Sequence, residues 1–330
     1  DGKLYFSIGD RGFHVTSKEG VTFHGPRNGA VFRCNPDGTE FEVVHRGLRN
    51  PQELAFDQYG NLFTVDNNAD GGDKARWVHI VEGADYGWRY GWQHLPKLGA
   101  WNAEMLWGLA PSNTALSYPP PVAHIGHGPA GIAHYPGTGL PAKYAGHFLL
   151  CDFKGASTAS GIWSFKMQPK GASFELVEKE QFLWNSLVTD VDFGYDGHVY
   201  FSDWLEGWGM TGKGRLYRVS DPATVREADE VKTIFAAGFP QRSVAELKNL
   251  LAHRDQRVRQ EAQFELASRG ASSIQGLKSV ASQPGLLFAR IHALWALSQI
   301  ERTQKSPEIS AELAALLPLL EDPRSEIRAQ

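Results

Sequence analysis

Cysteine is almost absent from this chain: among 330 residues there are two, Cys34 and Cys151, far apart in sequence. They make neither a Cys-x-x-Cys pair nor a disulfide framework, and no Cys-x-x-Cys-His haem-attachment site is present, so both read as small buried hydrophobes. An excess of one charge is absent too. Lysine and arginine number 33 against 37 acidic residues, a formal net charge of −4, which argues against a nucleic-acid footprint. No apolar run reaches the roughly 18 residues that a membrane span needs. Nor is there a signal peptide, and the chain opens at Asp1 beside a strand and closes at Gln330 inside a helix pattern, as expected of a fragment.

What is abundant changes along the chain. Residues 1–240 hold 32 of the 35 glycines and nine of the ten tryptophans, whereas residues 241–330 hold three glycines, 13 alanines and 14 leucines. Such a shift marks a passage from sheet to helix, with the break expected near Gly238-Phe239-Pro240.

The first part repeats. Asp1-Gly2-Lys3-Leu4-Tyr5-Phe6-Ser7 recurs as Tyr59-Gly60-Asn61-Leu62-Phe63-Thr64 and as Asp196-Gly197-His198-Val199-Tyr200-Phe201-Ser202, with a weaker copy at Gly146–Asp152. Each is a turn glycine followed by a short strand. Two connecting segments also match: Gly29–Arg33 leads to Phe41–Val44, and Gly161–Phe165 leads to Phe174–Val177. Repeated strand–turn units of roughly 40–60 residues predict an all-β β-propeller over 1–240. That length supplies some four or five blades, so a closed ring requires sequence upstream. The tail repeats as well: Val258, Ile291 and Ile327 head similar apolar stripes, predicting an all-α, HEAT-like solenoid over 241–330 with a surface open to a protein partner.

The densest polar constellation flanks the second blade strand. Arg49, Asn50 and Gln52 precede it, a fork of donors suited to a planar carboxylate-bearing ligand. Asp66, Asn68, Asp70 and Asp73 follow it in a run of hard oxygens and glycines. That run is either a calcium loop or simply a turn, and it lacks EF-hand spacing. His14 and His127 are candidate bases, each equally readable as a turn or strand residue. Asp152, Asp190 and Asp203 lie in or beside blade strands, as ligands or as caps on backbone amides. Tyr86-Gly87-Trp88-Arg89-Tyr90-Gly91-Trp92 either stacks on a sugar ring or packs between blades.

Three segments, Lys3–Gly12, Gly47-Leu48-Arg49-Asn50-Pro51-Gln52 and Gly83-Ala84-Asp85-Tyr86-Gly87-Trp88, resemble the soluble quinoprotein glucose/sorbosone dehydrogenase family in order and spacing. The helical continuation resembles a narrower group, the multidomain "membrane-bound dehydrogenase" proteins of planctomycete-type bacteria. The resemblance implies a six-bladed propeller, incomplete here, that oxidises a sugar or polyol. Pyrroloquinoline quinone would sit on calcium over the axis, electrons would pass to a haem c domain outside this chain, and the location would be periplasmic or cell-surface. It also implies that Arg49, Asn50, Gln52 and Lys154 contact cofactor or substrate, and that the backbone carbonyls of Asn68 and Ala69 ligate calcium. The family's catalytic histidine falls upstream of residue 1. The sequence departs from the family at Leu187 and Thr189, where paired cofactor arginines stand, and at Arg76, where an acidic residue stands. A non-catalytic propeller–solenoid module that binds a glycan or protein, and a scaffold for a cytochrome domain, are the competing readings.

Overall fold

The computed structural model describes residues 1–68, 73–88, 121–209 and 211–330. Four antiparallel sheets follow one another in chain order. The first contains β1 (Leu4–Ile8), β4 (Gly29–Cys34) and β5 (Glu42–Leu48), with a hairpin of β2 (Phe13–Thr16) and β3 (Thr22–Gly25) inserted after its first strand. The second contains β6 (Pro51–Phe56), β7 (Leu62–Asp66) and β8 (Arg76–His79). The third has four strands, β9 (Pro129–His134), β10 (His147–Asp152), β11 (Gly161–Lys170) and β12 (Ser173–Trp184). The fourth has β13 (Val188–Phe193), β14 (Val199–Asp203) and β15 (Arg215–Val219). Within each sheet the strands lie in chain order, the hairpin interrupting the first, and the turn-glycine repeats map to the second strands β7, β10 and β14 of the later sheets but to the first strand, β1, of the first.

The apolar clusters lie between sheets. Val31, Val44, Leu62 and Val78 join the first to the second, Phe63, Trp77, Ile132 and Phe148 the second to the third, and Leu149, Ile162, Val191 and Phe201 the third to the fourth. Strand alternation sends one face of each sheet to each neighbour, which is the packing of blades set side by side. The leading strands β6, β9 and β13 therefore lie against one another along one edge of the stack. Cys34 and Cys151 are buried and free.

Strands end at Val219, and the helices begin at Asp229, ahead of the Gly238–Pro240 break. They are α1 (Asp229–Ala237), α2 (Val244–Leu250), α3 (Gln256–Ser268), α4 (Ala271–Ser282), α5 (Leu287–Gln304), α6 (Pro307–Leu313) and α7 (Ser325–Arg328). Ser243 and Glu246 form a capping box on α2, and the Asp255 carboxylate caps α3 by accepting from Arg257 N. Val258, Ala262 and Leu266 of α3 are wholly buried against Ala293, Ala296 and Leu297 of α5.

The start of α3 is fixed to the lower ends of the leading strands. Gln256 N donates to Pro136 O at 2.8 Å, Gln256 Nε2 to Asp57 O at 3.2 Å, and Arg257 Nη1 to Phe193 O at 2.5 Å. Gly60, at φ +86°, makes the turn before β7, and a Cβ there would stand 2.9 Å from the Trp295 ring of α5. The helices thus cover one end of the stack and leave the opposite end to the loops.

Candidate functional site

That opposite end is built on four buried aspartates. Asp10, Asp66, Asp152 and Asp203 stand at or just beyond the ends of β1, β7, β10 and β14. Where the chain crosses from one sheet into the next leading strand its amides have no ladder partner, and a buried carboxylate supplies one. Asp66 accepts from Arg49 N at 3.0 Å and Asn50 N at 2.7 Å, and it also holds the guanidinium of Arg76. Asp152 accepts from His127 N and Gly128 N, both at 2.9 Å, and from Trp163 Nε1 at 3.1 Å. Asp10 takes the Trp88 indole at 2.8 Å, and Asp203 takes the Ser186 hydroxyl at 3.1 Å.

The backbone of Arg49-Asn50 is therefore pinned by Asp66, and that of His127-Gly128 by Asp152. Both segments feed directly into β6 and β9. Further down, Gln52 and Glu53 of β6, Ala130 and Gly131 of β9 and Thr189 and Asp190 of β13 line one cavity of about 300 Å³ on the axis. Gly131 permits this approach, since a Cβ there would lie 2.3 Å from Asp190 Oδ1. Lys154, two residues past Asp152, has its ammonium 3.6 Å from that carboxylate. Beside it the Phe153 ring stacks on Trp204 at 5.5 Å and meets Trp208, which is 69% exposed, edge-on at 5.2 Å.

The structure thus gathers Arg49, Asn50, Gln52, His127 and Lys154 around the loop end of three adjoining strands. His14 lies elsewhere, on the exposed hairpin, and does not line the axial cavity. Ala69 and Asp70 lie outside the described residues, as does the Arg89–Trp92 half of the aromatic run. Tyr86 and Trp88 are buried, Trp88 between Asp10 and the guanidinium of Arg76, which is packing between the first two sheets. Asn68 Nδ2 donates to Asp73 O at 3.3 Å. Leu187 is buried, and Thr189, which lines the cavity, has its Oγ1 bonded to Ser202 Oγ at 2.8 Å, so neither brings a positive charge to the axis.

Two features escaped the sequence reading. Glu53 points into the axial cavity and accepts from Ile132 N at 2.6 Å. Burial, with the charges of Asp190 and Asp192 behind it, pushes its carboxyl up to about 7. Burial also raises Asp190, helped by Asp192. A lone carboxylate within an otherwise apolar leading strand was the available signal. The second feature is Asn67, whose side-chain oxygen is buried with no hydrogen-bond partner among the described residues. No group of three or more His, Cys, Asp or Glu side chains among the described residues is placed to hold a metal ion.

Consecutive meander sheets packed side by side, with a polar site at the loop end of their leading strands, define a propeller-like enzyme scaffold. The family model "Glucose / Sorbosone dehydrogenase" matches residues 1–207, and the chain belongs to that family. Solved structures to which the chain is similar include a glucose dehydrogenase (19% identity, 67% of this chain and 61% of that one, TM-score 0.45). The PQQ-bound aldose sugar dehydrogenase of Streptomyces coelicolor is 20% identical over 66% of this chain and 58% of that one, with a TM-score of 0.42. The soluble aldose sugar dehydrogenase of Escherichia coli, in its apo form, is 16% identical over 66% and 61%, with a TM-score of 0.44. The chain spans about three fifths of the length of these structures. No curated protein matches it.

Proposed function

We propose that this chain is the larger part of a sugar or polyol dehydrogenase that works with pyrroloquinoline quinone and calcium at the loop end of the sheets. What supports the reading is that Asp66 pins Arg49 and Asn50 at the head of β6, whose Gln52 lines the axial cavity, with Lys154 just past the Asp152 that pins the head of β9, within a chain of this family.

The residues present fit both groups. Arg49 and Lys154 bring positive charge, and Asn50 and Gln52 bring amides, to the end where a carboxylated planar quinone would lie. Asn67 offers a buried oxygen with no partner among the described residues, next to Asn68 and the Asp66–Asp73 run, as a hard cation requires. Asp66 would act from behind, holding Arg49 and Asn50 in place, because its own oxygens already accept amides and the Arg76 guanidinium. The quinone, when bound, accepts the hydride that leaves the alcohol carbon. On this reading the exposed Trp208 and its neighbour Trp204 would orient the sugar, and Glu53 or His127 would take the hydroxyl proton. In the whole protein the sheets would be blades of a six-bladed ring. The helices would stack in HEAT-like pairs offering a protein partner a surface, electrons would leave through a cytochrome c domain, and the protein would be exported to the periplasm or cell surface.

Titration of the quinone into the protein, with and without calcium, tests the reading. Calcium-dependent uptake that falls at least tenfold in both Arg49→Ala and Lys154→Ala, with dye-linked oxidation of an aldose, supports it. Uptake indifferent to both substitutions refutes the assignment of the rim. A second reading, a module that binds a glycan or protein without catalysis, draws on Leu187 and Thr189. With one buried and the other spent on Ser202, two guanidinium groups are missing from a site for a tricarboxylate, while Glu53 and Asp190 add negative charge below it. Calcium binding without quinone uptake would favour it.

A further inference from the structure

The hairpin of β2 and β3 belongs to none of the four sheets. Its apolar face is fixed to the first sheet: Phe13 meets Phe32 edge-on at 4.8 Å, and Phe23 lies 5.0 Å from Phe41. The other face is open and carries Thr16 opposite Thr22 and His14 opposite His24. A tight turn fixes the register, with Ser17 N bonded to Val21 O at 2.8 Å and Gly20 at φ +83°. The two histidines are direct cross-strand partners, both exposed, joined by an Nδ1–Nδ1 hydrogen bond at 3.3 Å with ring planes at 68°, so that loss of the one shared proton would leave two nitrogens facing one point.

That separation has a chemical meaning. Two nitrogens bound tetrahedrally to one zinc ion, at roughly 2.0–2.1 Å each, stand about 3.3–3.4 Å from one another. The same pair in adjacent corners of a square plane would stand about 2.9 Å apart. Ten residues separate the two in sequence, but the ladder holds their backbones opposite each other before any ion arrives, so little ordering is needed to close the chelate. Imidazole is the donor that zinc, copper and nickel share, and among the described residues no third His, Cys, Asp or Glu joins this pair.

We propose that His14 and His24 form a two-imidazole clamp for a zinc-class divalent cation, with the remaining coordination positions filled by water or by a donor from outside the chain. The site is independent of the dehydrogenase reading, since neither histidine lines the axial cavity.

Calorimetric titration of zinc chloride into the full chain, stripped beforehand with a chelator, tests the clamp. One zinc equivalent is expected whose affinity falls at least tenfold in His14→Gln and equally in His24→Gln, with the far-ultraviolet circular dichroism unchanged. Acidification should weaken it, because a ligating imidazole nitrogen must be unprotonated. The paramagnetic resonance spectrum of the copper-loaded wild-type protein should show two nitrogen donors, falling to one in either variant. No zinc uptake by the wild type, uptake that both variants retain, or a copper spectrum with a single nitrogen would each overturn the proposal. The last of these needs no variant to fold.

Discussion

Replacing Asp152 by alanine removes one carboxylate and leaves three donors without their acceptor. His127 N and Gly128 N each lie 2.9 Å from Oδ1, and Trp163 Nε1 lies 3.1 Å from Oδ2. Each donor stranded in a partly buried setting costs about 1–3 kcal/mol, with water recovering part of the loss for the two amides. The segment entering β9 should therefore open more easily by about 2–4 kcal/mol, a rise of roughly 30- to 1,000-fold in its exchange rate. Asp152→Asn keeps one acceptor oxygen for the amides but turns an NH₂ toward the Trp163 indole and the Lys154 ammonium, so about 1–2 kcal/mol of the loss should remain. Hydrogen exchange read by mass spectrometry on a peptide spanning residues 127–131 isolates this segment, whereas a global melt would average it with the helices. Protection at His127 and Gly128 that stays within threefold of wild type in the alanine variant would refute the capping argument. The same logic for Asp66 and Arg49-Asn50 would then lose its footing.

Glu53 should make stability fall with rising pH. Its folded pKa of about 7 lies above the ordinary carboxylate value, so the native state binds more protons than the unfolded chain between about 4.5 and 7. The penalty is absent below that window and complete above it, at most about 3 kcal/mol, less what solvent at the cavity mouth screens. Glu53→Gln keeps an acceptor for Ile132 N and should remove the slope, and identical pH–melting curves for the two proteins would exclude it. Arg257→Ala loses the bond to Phe193 O and should loosen the helices from the sheets by about 1–2 kcal/mol. An earlier, separate helical transition in calorimetry would register this, and an unchanged single transition would contradict it. Cys151 is buried, and that burial, joined by the charges of Asp190, Glu53 and Asp152, holds its thiol well above the ordinary value. It should react with a thiol reagent only after unfolding, and reaction in the native protein would show the cavity wall to be open.

The sheets were legible because their sequence signal is local and repeated. Each turn glycine followed by a short apolar strand needs only a few residues to be recognised, and the copies at Leu62, His147 and Val199 each became the second strand of a sheet, while the copy at Leu4 became the first strand of its sheet. The start of the helices was less legible. The Gly238-Phe239-Pro240 break looks like a boundary, yet α1 precedes it and buries Val231 and Ile234 in the same cluster as Leu247 and Leu251. A glycine can end one helix of a bundle as readily as it ends a domain, and only the packing distinguishes the two. Nor did composition show that α3 would dock through Gln256 and Arg257, because those side chains bond to backbone carbonyls, which carry no sequence signature.

The site was harder to read because one residue type does two jobs in it. Strand-end aspartates look alike in sequence whether they hold a cation or cap a backbone, and here Asp66 and Asp152 are committed to amides. Their commitment is itself informative. A carboxylate saturated by amide donors is a poor ligand but a rigid anchor, and it fixes the backbone of the loop-end residues themselves, Arg49 and Asn50 through Asp66 and His127 and Gly128 through Asp152. Arg76 belongs to the same logic: a cation in place of an acid beside the Asp66–Asp73 run is drawn to Asp66 and packs over Trp88, so its charge is neutralised within the wall rather than offered to a ligand. Lys154 is likewise held 3.6 Å from Asp152, while Glu53 and Asp190 line the cavity below. An anionic ligand at this end would therefore rely on Arg49 and on drawing Lys154 away from Asp152, whereas a ligand reaching the cavity would meet its carboxylates with a hydroxyl or a cation.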